Sequence, residues 1–138
     1  MILPRRRCIL LAAAAAAVPR ADATPAEVNQ LIQTLLAGAP LKDGMVHLDL
    51  PVMVENGNAV AMNVSVDAPA AEIHVFAEGN PLPNVAVFRF GPRAGTPMVA
   101  TRIRLATSQT IIAIAKLRDG TFWRDCVDLL VTLAACVD

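Results

Sequence analysis

The sequence is poor in the residues and patterns on which catalytic, metal and nucleic-acid sites are built. It has no tyrosine, and only two of its 138 residues are histidines, His47 and His74. Its formal net charge is zero, so it lacks the basic surface by which proteins bind nucleic acid. No apolar run reaches the roughly 18 residues that span a bilayer. The sequence therefore predicts neither a nucleic-acid partner nor a membrane anchor in the mature chain.

Enzyme motifs are missing as well. There is no Gly-x-Ser-x-Gly elbow and no Gly-rich phosphate loop. A blue-copper site needs two histidines, a cysteine and a weak axial ligand. In cupredoxins the cysteine, the second histidine and the methionine cluster in one late loop, whereas no histidine follows His74 here. We expect no enzyme active site, no metal and no cofactor.

Residues 1–23 have the features of an export signal peptide. Arg5-Arg6-Arg7 precedes a modestly apolar stretch from Cys8 to Val18, and Ala21-Asp22-Ala23 forms an A-x-A cleavage site. Paired arginines before a weakly hydrophobic segment favour the twin-arginine route, although a Sec signal also fits. We expect a periplasmic mature protein of 115 residues, with eight basic and eleven acidic side chains.

The mature chain begins with helix signals and continues with strand signals. Thr24-Pro25-Ala26-Glu27 is a capping box with proline at the first helical position, helical spacing runs from Val28 to Leu36, and Gly38 fits the end. After Gly44 the apolar period changes to two. Asp119-Gly120 between apolar alternations predicts a two-residue hairpin turn. Seven strands are predicted, at Val46–Leu50, Ala59–Asp67, Glu72–Ala77, Val85–Phe90, Val99–Leu105, Thr110–Leu117 and Phe122–Leu133.

Seven short strands with regularly spaced turns favour an all-β, immunoglobulin-like sandwich over residues 24–133, preceded by one short N-terminal helix. Strands and helices do not alternate along the chain, so the sequence does not predict an α/β fold. The helix is expected to pack on the side or end of the sandwich. Alternatively it docks onto a partner subunit, because Leu31, Leu35 and Leu36 form a wide apolar stripe.

Two cysteines remain in the predicted mature chain. Ten residues of extended strand separate Cys126 from Cys136 by roughly 33 Å, whereas a disulfide needs Cα atoms within about 7 Å. At least one thiol is therefore free or joined to another molecule, unless the tail folds right back. Cys136 is third from the end, where an exposed thiol is accessible to partners. The residues alone leave a reactive thiol and a tolerated free cysteine equally open.

Arg102 and Arg104 form a basic pair on one face of a predicted strand, opposite Thr101, Ile103 and Leu105. Such a pair is usually a solvated face. It is also suited to binding an acidic partner.

Several blocks resemble the SoxY family of sulfur-oxidation carriers, in the same order and over nearly the whole mature chain. The Ile73 to Pro81 block is the most specific. The resemblance implies an immunoglobulin-like fold, a heterodimer with a SoxZ-like subunit, and an arm that visits separate redox and hydrolase enzymes. It also implies that Cys136 carries a sulfur intermediate covalently, without a cofactor of its own. The blocks are Glu55 to Asn58, Val64 to Asp67, Ile73 to Pro81, Thr101 to Ala106 and Val131 to Leu133.

The arm, residues 134–138, departs from the family pattern. SoxY arms end Gly-Gly-Cys-Gly-Gly, whereas this one reads Ala134-Ala135-Cys136-Val137-Asp138 and is similar to a SoxY-related branch ending Ala-Ala-Cys-Ile-Glu. Alanine and valine restrict and widen an arm that glycine leaves free. Asp138 adds a second carboxylate beside the C-terminus, and negative charge disfavours the thiolate and repels an anion such as thiosulfate. The hypothesis is a carrier whose cargo or partners differ from those of thiosulfate oxidation.

Two other classes stay open beside the non-enzymatic carrier. The fold is also suited to a binding or assembly module in which Cys136 is structural, intermolecularly bonded or idle. A sulfurtransferase-like enzyme is less favoured, because no residue near the arm in sequence is placed to act as its acid or base.

Overall fold

A computed structural model describes residues 23–132, and helix α1 spans Pro25–Leu36. The capping box forms as predicted. Thr24 Oγ1 accepts a hydrogen bond from the Glu27 N–H at 3.2 Å, and the Glu27 carboxylate accepts from the Thr24 N–H at 3.0 Å. The helix ends at Leu36. The capping residue Ala37 donates its N–H to the Gln33 carbonyl, and its left-handed φ of 51° turns the chain away from the helix. No helix in this range is long and apolar enough to cross a membrane.

Nine strands follow in residues 23–132. All seven predicted strands are confirmed, and two short ones, β1 and β3, are additional. The bounds are β1 Leu41–Asp43, β2 Val46–Asp49, β3 Met53–Val54, β4 Val60–Val66, β5 Ala70–Ala77, β6 Asn84–Arg89, β7 Met98–Ile103, β8 Gln109–Leu117 and β9 Phe122–Val131.

The strands form the two sheets of an immunoglobulin-like sandwich, as predicted. The larger sheet has the order β1-β9-β8-β5-β6, with β3 also beside β9, and the smaller sheet has the order β2-β4-β7. Strands β1 and β3 pair in parallel with β9, through Leu41 opposite Phe122 and Met53 opposite Leu130. The chain therefore follows the edge of the larger sheet, crosses to the smaller sheet for β2, and returns.

The main core lies between the two sheets. Strand β4 alternates, with Val60, Met62, Val64 and Val66 all buried while the residues between them are exposed or half-buried. These side chains share one cluster with inward residues of β5 and β8, including Ile73. Burying this apolar surface is the main stabilising term of such a sandwich.

Helix α1 covers the outer face of the larger sheet. Strand β8 is buried on both faces as a result, with Ile111 turned into the main core and Ile112 turned toward the helix. The helix thus packs on the sandwich, whereas Leu31 of its predicted apolar stripe stays 39% exposed. The second cluster comprises Val28, Ile32, Leu36, Phe76, Ile112, Ile114 and Phe122.

The β8–β9 hairpin is confirmed, but its loop is longer than predicted. Gly120 N donates to the Leu117 carbonyl at 3.0 Å, and Leu117 N donates to the Thr121 carbonyl at 2.9 Å. These bonds enclose three loop residues, 118–120, rather than two. Gly120 has a φ of 89°, which supplies the left-handed residue that such three-residue loops need.

Asp125 connects the two sheets at the edge formed by β2. Its Oδ2 accepts a hydrogen bond from the Leu48 N–H at 2.8 Å. Because β2 is an edge strand, this N–H has no ladder partner, and the carboxylate satisfies it. Strand β9, which leads to the arm, is thereby fixed to both sheets.

Candidate functional site

The predicted carrier residue and arm, Cys136 and residues 134–138, lie outside the described residues. The structure describes the end of β9, which precedes this arm in the sequence. Thr132 N donates to the Val54 carbonyl at 2.9 Å, and Thr132 Oγ1 lies 3.4 Å from the Glu55 carbonyl. On the other side of β9, Val131 N donates to Ser108 Oγ at 2.8 Å. The last described residues are therefore held on both sides, and the arm starts from a fixed point.

Asn80 joins the loops at this end of the sandwich. Its Nδ2 donates to the Arg104 carbonyl at 2.8 Å, while its Oδ1 accepts from the Ala106 N–H and from Gln109 Nε2, each at 2.9 Å. Asn80 is the one buried polar side chain in the described range. Because buried polar groups need partners, this network fixes the loops around it.

Gly79 is required at its position by close packing. A Cβ atom built there would lie 2.8 Å from Thr107 Cγ2 and 3.1 Å from Gln109 Cβ. The Gly79 N–H also donates to Gln109 Oε1 at 2.9 Å. Gly79 and Asn80 join their turn to the 104–109 loop. Local sequence carries no signal for this role, because the partners lie 24 to 30 residues further along the chain.

A groove of about 290 Å³ lies beside this network. Leu82 is its most exposed apolar residue, at 77%. We call it the Arg104 groove, and it is lined by Asn80, Pro81, Leu82, Asn84, Val85 and Arg104.

Arg102 and Arg104 are both exposed, as predicted, and Ile103 between them is buried. Strand β7 ends at Ile103, so Arg104 lies just beyond the sheet, where the loops meet. The ion pairs found among residues 23–132 involve neither arginine. Of the two arginines, only Arg104 lines the groove.

The two histidines lie in different sheets. His47, on β2, has its Nε2 2.7 Å from Asp67 Oδ2 at an exposed position. His74, on β5, has its Nε2 2.9 Å from Glu72 Oε1. The hydrogen bond from His74 is the largest cause that lowers the pKa of Glu72, and it outweighs the opposing effect of burial. No group of three or more potential ligands that could hold a metal occurs among residues 23–132.

Cys126 is exposed on the outer face of β9, opposite Ile112 of β8. It has no disulfide partner in the part of the chain that the structure describes. Val127, Leu129 and Val131 of β9 pack in the main core, whereas Cys126, Asp128 and Leu130 are exposed.

An exposed apolar strip lies beside the base of the arm. Val52 is 70% exposed, Met53 61% and Leu130 48%. Met53 and Leu130 are register partners of the parallel β3–β9 pair, and Leu130 N donates to the Val52 carbonyl at 2.8 Å. Three adjacent exposed apolar side chains are typical of a surface that contacts another protein.

These features define a small immunoglobulin-like protein whose last strand leads directly into a short cysteine-bearing segment. The model of the family described as sulfur oxidation protein SoxY matches residues 32–136. The chain therefore belongs to the SoxY family, and the matched range ends at Cys136. The narrower branch suggested by the Ala-Ala-Cys arm stays a prediction. No curated protein sequence matches the chain.

Solved structures agree with this assignment. The sulfur carrier protein SoxY from Chlorobium limicola f thiosulfatophilum is 25% identical, with a TM-score of 0.69 over 80% of this chain and 100% of that chain. A superoxide reductase (neelaredoxin) from Ignicoccus hospitalis is 19% identical, with a TM-score of 0.53 over 80% of this chain and 95% of that one. The second likeness concerns the fold alone.

Proposed function

We propose that this chain is a periplasmic, non-enzymatic carrier that holds a sulfur-containing intermediate covalently on Cys136 and presents it to partner enzymes. The observation that carries the proposal is membership in the SoxY family over a range that ends at this cysteine. The structural relative described as a sulfur carrier protein supports the same role.

The geometry of the arm's base suits a carrier. Thr132, the last described residue, is fixed by its bonds to Val54 and Glu55. Four further residues reach Cys136, and extended chain spans up to about 3.3 Å per residue, or roughly 13 Å in all. That length lets a thiol enter the active site of another protein while the sandwich stays outside.

The chemistry of loading defines one kind of partner. Joining the Cys136 sulfur to the sulfur of a small anion forms one S–S bond, releases the thiol proton and removes two electrons. A redox enzyme must accept those electrons. A terminal oxidised sulfur group on the carrier is then released by hydrolysis, with water supplying the oxygen, which requires a hydrolase. The proposed partners are therefore enzymes of these two classes, together with a SoxZ-like subunit.

The acidic, bulkier arm points to a cargo or partners other than those of thiosulfate oxidation. Asp138 places a negative charge two residues from the thiol. Repulsion of an incoming anion slows loading with thiosulfate. Rapid conjugation of thiosulfate to Cys136 by the standard loading cytochrome would contradict this part of the proposal.

A second candidate function is a binding or assembly module. The exposed strip of Val52, Met53 and Leu130 favours it, because exposed apolar surface is suited to contact with another protein and makes no demand on the cysteine. The two functions differ in whether the thiol of Cys136 is needed.

Replacing Cys136 with serine tests the difference. If the protein is a carrier, the Cys136→Ser variant should still bind its partners but lose pathway function. If it is an assembly module, the variant should keep both partner binding and pathway function. Cys126→Ser is the matched control, since Cys126 is an exposed cysteine on β9, the strand that precedes the arm in sequence. We expect Cys126→Ser to leave pathway turnover unchanged. Full turnover by Cys136→Ser would refute the carrier and support the module.

A further inference from the structure

We propose that a pocket at the end of the sandwich opposite the C-terminal end of β9 binds a lysine or arginine side chain of a partner protein. We call it the Asp67 pocket. Binding here requires neither Cys136 nor the carrier function. The pocket has a volume of about 420 Å³ and is lined by Val66, Asp67, Ala68, Pro69, Pro92, Gly95, Thr96 and Pro97.

The pocket lies far from the last residues of β9. Its lining comes from the end of β4, the segment that follows β4, and the loop before β7. Strand β8 runs from one end of the sandwich to the other. Its first residue, Gln109, pairs with Leu129 of β9. Just past its last residue, Arg118 N donates to the Pro69 carbonyl at 3.0 Å. Nine strand residues at about 3.3 Å each put roughly 30 Å between the two ends, so two partners can be bound at once.

Backbone hydrogen bonds hold both walls of the pocket. The Val66 N–H donates to the Pro97 carbonyl at 3.1 Å, which joins the two walls directly. The Phe90 N–H donates to the Ala71 carbonyl at 2.9 Å and anchors the start of the 90–97 loop. The prolines of the lining restrict the backbone further, because their rings fix φ. The pocket therefore exists before a partner binds, which avoids the entropic cost of ordering it.

Asp67 gives the pocket a negative charge. Its Oδ2 lies 2.7 Å from His47 Nε2, whereas Oδ1 has no hydrogen-bond partner among residues 23–132. An ionised carboxylate accepts at both oxygens, so Oδ1 is open to a second donor. The nearest basic residues in sequence do not supply it. Arg118 donates to the Phe90 carbonyl, and Arg93 is absent from the lining. A cationic side chain from outside complements this charge.

The rest of the lining is mainly apolar, and this selects the kind of cation. A lysine or arginine side chain has an aliphatic stem that covers apolar surface and a charged head that stays near water. The stem matches Ala68 and the proline rings, and the head reaches Asp67 at the exposed side of the pocket. A bare divalent cation fits poorly, because it needs several oxygen ligands and Asp67 is the one carboxylate in the lining.

The test is an NMR titration of the isotope-labelled mature chain with the peptide acetyl-Gly-Lys-Gly-amide. Binding is followed at the backbone amides of Asp67, Ala68 and Thr96. A second peptide with norleucine in place of lysine keeps the stem and lacks the charge. Asp67→Asn is compared with Asp49→Asn, which removes an exposed carboxylate of the same sheet outside the pocket. The amide spectrum of each variant shows whether it is folded.

We expect the lysine peptide to bind the parent protein with a millimolar Kd, as befits one side chain in an open pocket. Asp67→Asn should raise this Kd by about twofold to fivefold, the range set by a single exposed ion pair. Asp49→Asn should leave it unchanged. The norleucine peptide should bind the parent and Asp67→Asn equally weakly, because it has no charge to lose.

Three results would overturn the proposal. The first is that the lysine peptide causes no shifts at these amides. The second is that Asp67→Asn binds the peptide as well as the parent, or that Asp49→Asn weakens it equally, since general surface charge would then explain the binding. The third is tighter binding of n-butylamine than of the lysine peptide, which would assign the pocket to a free amine. None of these results depends on the state of Cys136, so the carrier function is tested separately.

Discussion

Replacing Asn80 with alanine removes the side chain that holds the arm-bearing end of the sandwich together. The variant leaves the Ala106 N–H and the Arg104 carbonyl without their partners, and Gln109 loses one acceptor. Asn80 is only 9% exposed, so water replaces these bonds poorly. Each buried backbone group left unsatisfied costs about 1–3 kcal/mol.

Two such groups give an expected loss of about 3 kcal/mol in the free energy of unfolding. With an m value of about 1.5 kcal/mol/M, the urea midpoint falls by about 2 M. The measurement is equilibrium unfolding in urea, followed by the fluorescence of Trp123, the single tryptophan. An unchanged m value would show that the loss is one of stability rather than of compactness.

Asn84→Ala is the matched control for this prediction. Asn84 lines the same groove but is exposed, and the structure gives its side chain no hydrogen bond. Its replacement should change the unfolding free energy by less than about 0.5 kcal/mol. A loss of that small size for Asn80→Ala, or equal losses for the two variants, would refute the structural role assigned to Asn80.

Two further predictions concern the same sandwich. Gly79→Ala should destabilise it by about 1–3 kcal/mol in urea unfolding, because the new Cβ would lie 2.8 Å from Thr107 Cγ2. Gly91→Ala, which meets nothing within 4 Å, should be nearly neutral, and equal effects would contradict the packing argument. The lowered pKa of Glu72 contributes stability above its unfolded pKa of about 4.3, and that stability is lost as the pH falls through the lower folded value. Glu72→Gln should therefore show a smaller loss of stability than the parent between about pH 5 and pH 3, and parallel pH profiles would refute the pairing with His74.

The parts of the fold that were predictable have local signals. The capping box of Thr24 and Glu27 forms as expected, since its partners are three residues apart. Strands β2 and β4 follow a period of two. In contrast, β1 and β3 have two or three residues each and exist through parallel pairing with β9, about 80 residues away. No pattern among neighbouring residues in the sequence predicts that pairing.

The site was predictable only in part, for a related reason. Arg104 was recognised as an exposed charge, but its place in a groove depends on Asn80, which contacts it from 24 residues earlier in the chain. The helix stripe shows the same limit. Leu31 has the right spacing for the core, yet it is 39% exposed, whereas Val28 and Ile32 pack against the larger sheet.

The measurement that tests the central claim most directly is the intact mass of the mature protein isolated from the periplasm, with and without reductant, followed by peptide mapping of the C-terminal segment. The carrier account predicts a reductant-labile adduct on Cys136, whose mass identifies the cargo. A bare Cys136 thiol under conditions in which the pathway is active would contradict it.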